Sequence, residues 1–220
     1  MLSSGCQCET STDPSGQSLV GVDFSGHKLS RANFQGANLT GANFSNAIIS
    51  YADFSDAVLI NTNFSHAVCD GAEFTKADLT NANCAWADLS ETTFRHACLV
   101  NANLYNVKLN DSFCESANFS RANLRGAFFG CTVLDDAKFE DADLSGAQLD
   151  YDDFKALCFH LNDGIHASTV LHLAVVRSTS GMSGDELAAW VERGALLDTD
   201  QSLGKSHASH AIHPYVYGSL

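Results

Sequence analysis

From Leu19 to Phe154 a large apolar residue, most often Phe or Leu, stands at every fifth position for 28 consecutive units without an insertion or deletion. A five-residue period matches neither the helix nor the strand repeat, so a chain that keeps it must change direction once per unit. The units Arg31-Ala32-Asn33-Phe34-Gln35 and Gly36-Ala37-Asn38-Leu39-Thr40 show the order: a small residue, a polar one, a large apolar one and two turn-formers. Ala32 and Phe34 are two apart and share one side of an extended segment, while Asn33 points to the other. The pairs Ser25-Gly26, Gln35-Gly36 and Ser45-Asn46 supply turn chemistry between the short strands.

The number of bends per turn follows from order at longer range. Asn recurs in the outward position every twenty residues, at Asn43, Asn63, Asn83, Asn103 and Asn123, with Asp23 and Asp143 in the same register. Four units per turn align these side chains in one column, where ladders form. The inward residues sort into four columns on the same spacing. Phe24, Phe44 and Phe64 make one, and Phe34, Phe54, Phe74 and Phe94 a second; Leu19, Leu39, Leu59, Leu79 and Leu99 make a third, and Leu29, Ile49, Cys69 and Leu89 a fourth. In a four-sided coil the two Phe columns oppose each other, as do the two aliphatic ones. Past four inward positions without Phe, namely Leu99, Leu104, Leu109 and Cys114, the phase reverses. Phe119, Phe129 and Phe139 enter the aliphatic columns, and Leu124, Leu134 and Leu144 the Phe columns, which keeps core volume per turn roughly constant.

Carrying the pattern A-[DN]-[LF]-x-x over about residues 17–154, the chain resembles the pentapeptide-repeat family. The resemblance implies an all-β fold, a right-handed quadrilateral parallel β-helix of about seven coils; the hand comes from the resemblance, not from the spacing. Residues 1–16 read as a disordered N-terminal tail, 17–154 as the β-helix, 155–197 as a small, mainly α-helical C-terminal cap and 198–220 as a flexible tail. Within the cap, 154–161 suits a helix or a last irregular coil. The segment from Ala167 to Arg177 suits helix or strand, with helix preferred. Ser183-Gly184-Asp185-Glu186 is a capping box that opens a helix ending at Gly194.

No cofactor or metal is expected. Cys69, Cys84 and Cys114 replace Leu or Phe at inward positions, where a thiol acts as a small hydrophobe, and no CxxC pair occurs. Free thiols fit a reducing compartment. Cys6 and Cys8 near the N-terminus are open to acylation, though a plain tail is the preferred reading. His207, His210 and His213 at spacing three share a face only on a helix, which Pro214 ends, so a flexible tail is preferred to a metal site.

Catalysis finds no constellation: there is no Gly-x-Ser-x-Gly elbow, phosphate-binding loop or His-Glu-x-x-His, and stacked carboxylates such as Asp53 and Glu73 read as a solvated face. The chain is therefore expected not to be an enzyme. It shows no signal peptide and no membrane-length apolar run, which places it in the cytoplasm, with export by a signal-peptide-independent route as the alternative.

Function then rests on the surface. Twelve Lys and Arg against 26 Asp and Glu give a formal charge of −14, which disfavours direct nucleic-acid binding. Asp135, Asp136, Glu140, Asp141, Asp143, Asp150, Asp152 and Asp153 face only Lys138 and can steer a basic partner. A second exception is apolar: Ile48 beside Val68, Phe113 beside Val133, and Phe128, Tyr105 and Trp86 elsewhere on the exterior. The expectation is a non-enzymatic protein-binding or scaffold module with an unidentified protein partner, and with a homodimer through the C-terminal region open to it. The resemblance implies two alternatives. One is an acidic, DNA-mimicking rod that binds or protects a DNA topoisomerase (gyrase); the other is a secreted bacterial effector or targeting module.

Overall fold

The computed structural model describes residues 14–149 together with 175–176 and 196–197. Through the first of these stretches each outward residue pairs in parallel with the outward residue twenty positions on, as in Asn43↔Asn63, Ile48↔Val68, Asp53↔Glu73 and Val58↔Asp78. Four such columns make a four-sided β-helix. The backbone closes each step twice: Phe44 N–H donates to the Asn63 carbonyl at 2.7 Å, and Asn63 N–H donates to the Ala42 carbonyl at 2.9 Å.

Corners explain the turn residues. After each inward residue the chain reverses through a tight turn, such as Ala47 N–H to the Phe44 carbonyl at 3.0 Å. The second corner residue takes a left-handed backbone at every corner from Gly16 to Gly146, with φ between 51° and 71°. Asn, Asp and Gly tolerate that region, and none of the non-glycine residues found there is β-branched.

The inward side chains form one continuous core. Phe34, Phe44, Phe54, Phe64, Phe74 and Phe94 are buried, as are the small residues Ala37, Ala42 and Ala47 that share their side of the strand. Rings within a column stack, Phe34 on Phe54 at 4.9 Å and Phe54 on Phe74 at 5.0 Å, and rings of the opposed column meet them edge-on, Phe54 to Phe64 at 5.8 Å. The expected swap is present. Phe119 stacks on Phe139 at 5.0 Å in a formerly aliphatic column, while Leu124 and Leu144 are buried where Phe stood below.

Four short strands run on beyond the single-residue bridges: β1 Phe128–Phe129, β2 Gln148–Leu149, β3 Val175–Val176 and β4 Leu196–Leu197, in one parallel sheet of that order. Leu149 pairs with Val176 and Val176 with Leu197, so one side of the coil continues with steps of 27 and 21 residues in place of 20. This corrects the helical preference at Val175 and Val176, whereas Leu196 and Leu197 follow Gly194, where the expected helix ends. A β-branched pair presented to the open edge of a parallel sheet gains ladder bonds that a helix would forgo. The capping-box helix, the rest of the cap and both tails lie outside the described residues.

Candidate functional site

Among the described residues the buried polar groups are held within the fold. Thr62, Thr92, Ser112 and Thr132 are buried at positions where Ala is usual, and their hydroxyls donate to backbone carbonyls: Thr62 and Thr132 to Leu39 and Leu109 at 2.9 and 2.7 Å, Thr92 and Ser112 both to Leu89 at 2.6 and 2.8 Å. Cys69, Cys84 and Cys114 are buried and in the reduced form. Burial pushes the Cys84 thiol up to about 12, and Cys69 well above its ordinary range, so both stay protonated. The stacked carboxylates are held by their own turns: Asp53 accepts from Ser55 N–H at 2.8 Å and Glu73 from Thr75 N–H at 3.3 Å. Among the described residues no group of three His, Cys, Asp or Glu is placed to hold a metal ion. Cys6, Cys8, His207, His210 and His213 lie outside them.

One side of the coil is an amide ladder. Asn43 Nδ2 donates to Asp23 Oδ1 at 3.1 Å, and each later Asn donates to the one below, through Asn63, Asn83, Asn103 and Asn123, at 3.0 to 3.2 Å. Most of these oxygens also accept a backbone N–H two residues on, as Asn63 does from Ser65 at 3.0 Å. The ladder is structural, since its polar capacity is largely spent within the column.

The outward apolar residues fall on two adjacent sides, as the register implies. Ile48 and Val68 are paired neighbours on one side near the N-terminal end, 37% and 39% exposed. Phe113 and Val133 are paired on the adjacent side farther along; Phe113 is 41% exposed and Val133 half-buried. Phe128 is half-buried and lies on the Ile48 side, between Lys108 and Gln148. Arg95 covers Phe113, its guanidinium carbon 5.1 Å from the ring centroid, and its Nη2 pairs with Glu115 at 3.0 Å.

Asp135 and Asp136 occupy the corner that follows Val133, Glu140 and Asp141 the next corner, and Asp143 the end of the ladder side. Asp141 lies 3.6 Å from Arg121 and Asp143 lies 3.4 Å from Arg125. Asp150, Asp152 and Asp153 fall outside the described residues. On the Ile48 side, burial works against the charged form of Asp88, yet bonds from Lys108 and Ser90 hold its carboxyl below the ordinary range.

Aromatic residues at corners complete the exterior: Trp86 and Tyr105, expected there from the sequence, and Tyr51, which was not singled out. Tyr51 is 55% exposed and its ring lies over Gly71, where a Cβ would fall 2.4 Å from Cε1. Arg31 caps the same ring at 6.0 Å. Trp86, 53% exposed, stacks on His66 at 6.4 Å and meets Tyr105 edge-on at 5.6 Å. The signal for them in the sequence is a bulky ring in corner positions filled mostly by small or polar residues.

The family model for pentapeptide repeats matches in eight copies, over residues 37–68, 57–95, 97–130 and 117–150. No curated protein matches by sequence. Among solved structures, QnrB1, a plasmid-mediated fluoroquinolone resistance protein, superposes with a TM-score of 0.53 at 21% identity, covering 69% of this chain and 95% of that one. HetL, a pentapeptide repeat protein of heterocyst differentiation regulation from the cyanobacterium Nostoc sp. strain PCC 7120, gives 0.47 at 22% identity, covering 73% and 77%. A pentapeptide repeat protein from the Arabidopsis thaliana thylakoid lumen gives 0.27 at 31% identity, covering 51% and 71%.

Proposed function

This chain belongs to the pentapeptide-repeat family, and on that premise we propose that it is a non-enzymatic protein-binding or scaffold module that takes a basic protein partner on its C-terminal half. The observation that carries this reading is an inverted side. Inside, Thr92, Ser112 and Thr132 bury hydroxyls where Ala serves elsewhere, and outside, Phe113 and Val133 stand where Asn or Asp is usual. Stability alone asks for the opposite arrangement. An exposed Phe113 beside a half-buried Val133, next to Asp135 and Asp136, suits a partner that brings apolar contact in the centre and Lys or Arg around it. Affinity capture with wild-type protein and a Phe113→Asp/Val133→Asp variant in parallel tests the reading. A partner retained by the wild type, released by salt and lost in the variant supports it, whereas identical retained sets count against it.

A second reading, contact with a DNA topoisomerase through the acidic end, is favoured by Asp135, Asp136, Glu140, Asp141 and Asp143 on neighbouring corners and sides. Inhibition of gyrase supercoiling by micromolar purified protein, or relief of a quinolone block, supports it, and no effect on either excludes it. The reading as an exported effector rests on the N-terminal tail and is tested by translocation of a reporter fused to residues 1–30.

A further inference from the structure

Three parallel columns line the Ile48 side, and two of them carry the same self-complementary charge order. The outward column runs Lys28, Ile48, Val68, Asp88 in consecutive bridges, so a cation and an anion bracket two exposed aliphatic residues. The corner beside it runs Arg31, Tyr51, Gly71, Glu91, again cation to anion, with the Tyr51 ring lying on Gly71 at the middle. On the opposite corner Gly26, Asn46, His66 and Trp86 share the same four levels; a Cβ on Gly26 would meet nothing within 4 Å, while Trp86 projects into solvent.

A two-fold axis that lies in the plane of this side, perpendicular to the rod and between the levels of Ile48 and Val68, turns each column onto itself end for end. Lys28 then meets Asp88 of the second copy, Ile48 meets Val68, Arg31 meets Glu91, the two Tyr51 rings meet near the axis, and Trp86 comes over the open corner at Gly26. The Tyr51 pair sits on the axis and occurs once, and each of the other contacts occurs twice, as an isologous interface requires.

We propose that this side is the interface of a homodimer in which two rods pack antiparallel over their four N-terminal levels. The occupant is a second copy because the charge order, reversed along the side, is complementary to itself in two columns at once; a partner of one charge sign would leave half of the bracket opposed. Among the described residues Arg31 and Glu91 form no ion pair within one copy, which leaves both for the contact, whereas Asp88 already holds Lys108 at 2.9 Å and would share its carboxylate with Lys28. Four levels at about 4.8 Å each give a footprint roughly 20 Å long, in the range of weak and reversible contacts. The interface is separate from the Phe113 side, so both can be occupied together.

Sedimentation equilibrium of the full chain under reducing conditions, from low to several hundred micromolar, tests the proposal. Wild-type protein is expected to show a reversible monomer–dimer equilibrium that weakens with salt. Arg31→Glu alone and Glu91→Arg alone each place like charges opposite one another twice and weaken the dimer about tenfold or more. Mixing the two variants in equal amounts restores it in trans. The carboxylate introduced at position 31 of one copy then faces the guanidinium introduced at position 91 of the other, and the remaining native Glu91 faces the remaining native Arg31. Unchanged thermal unfolding of each variant shows that the fold is intact. A monomer at every concentration, a dimer indifferent to both substitutions, or a mixture no tighter than its components overturns the proposal.

Discussion

Up to about Phe94 the rod is filled by two facing stacks of Phe rings, and beyond Leu99 the rings move to the other pair of sides while Leu takes their place. Both halves bury the same positions and keep the same corners. The difference shows that this coil asks for a volume per turn, and leaves open which opposed pair of sides supplies it. The outside differs in step. The N-terminal half presents columns that reverse onto themselves, whereas the C-terminal half presents Phe113, Val133 and a run of carboxylates, of which Asp141 and Asp143 lie near Arg121 and Arg125.

The comparison breaks most completely at Phe54. Phe54→Asp puts an unpaired charge among stacked rings, and the variant is expected to lose its cooperative urea transition by circular dichroism. A soluble variant with a sharp transition would contradict the inward assignment.

Alkali acts next, at the boundary where the stacks end. Cys84, raised by burial from 9.0 to about 12, keeps its proton in the folded chain while the unfolded chain loses it. Its stability contribution is therefore present below pH 9 and is lost as pH rises from 9 toward 12. Urea midpoints measured across that window should fall, and Cys84→Ala should flatten the fall.

The two halves separate more finely under a common substitution. Phe54→Leu loses stacking on Phe34 and Phe74 and edge contacts with Phe44 and Phe64, at about 2–3 kcal/mol. Phe119→Leu loses one stacking partner, Phe139, at about 1–2 kcal/mol. Equal losses in equilibrium unfolding would remove the distinction. Asn63→Ala follows at about 1–2 kcal/mol, because it removes an acceptor from Ser65 and Asn83 and a donor to Asn43. The smallest effect is expected at Phe113→Asp, within about 0.5 kcal/mol, since the ring is held by solvent-facing contacts. A larger loss there would turn the proposed partner surface into part of the fold.

Most of the repeat body was legible because a five-residue period leaves each position one environment. The columns, the ladder from Asp23 to Asn123 and the ring swap at Phe119 all follow from counting by twenty. The strands at Val175 and Leu196 were not legible, since steps of 27 and 21 residues break the count and short apolar runs suit helix or strand alike. In the candidate site, the pairs Ile48–Val68 and Phe113–Val133 came from register alone. Tyr51 over Gly71 and Arg95 over Phe113 did not, because the lean of a long side chain along the rod is set by its rotamer and not by its place in the repeat.

Every inward assignment and both proposed surfaces depend on a turn of twenty residues. Paired cysteines test it most directly, in a background with Cys98 and Cys131 changed to serine and with cross-links mapped by mass spectrometry. Asn63→Cys with Asn83→Cys, partners across one bridge, should oxidise to an intramolecular disulfide. Asn63→Cys with Asp78→Cys, on different sides of a four-sided coil, should not. A disulfide between 63 and 78 in place of 63 and 83 would mean a three-sided turn of fifteen residues, and would contradict the account.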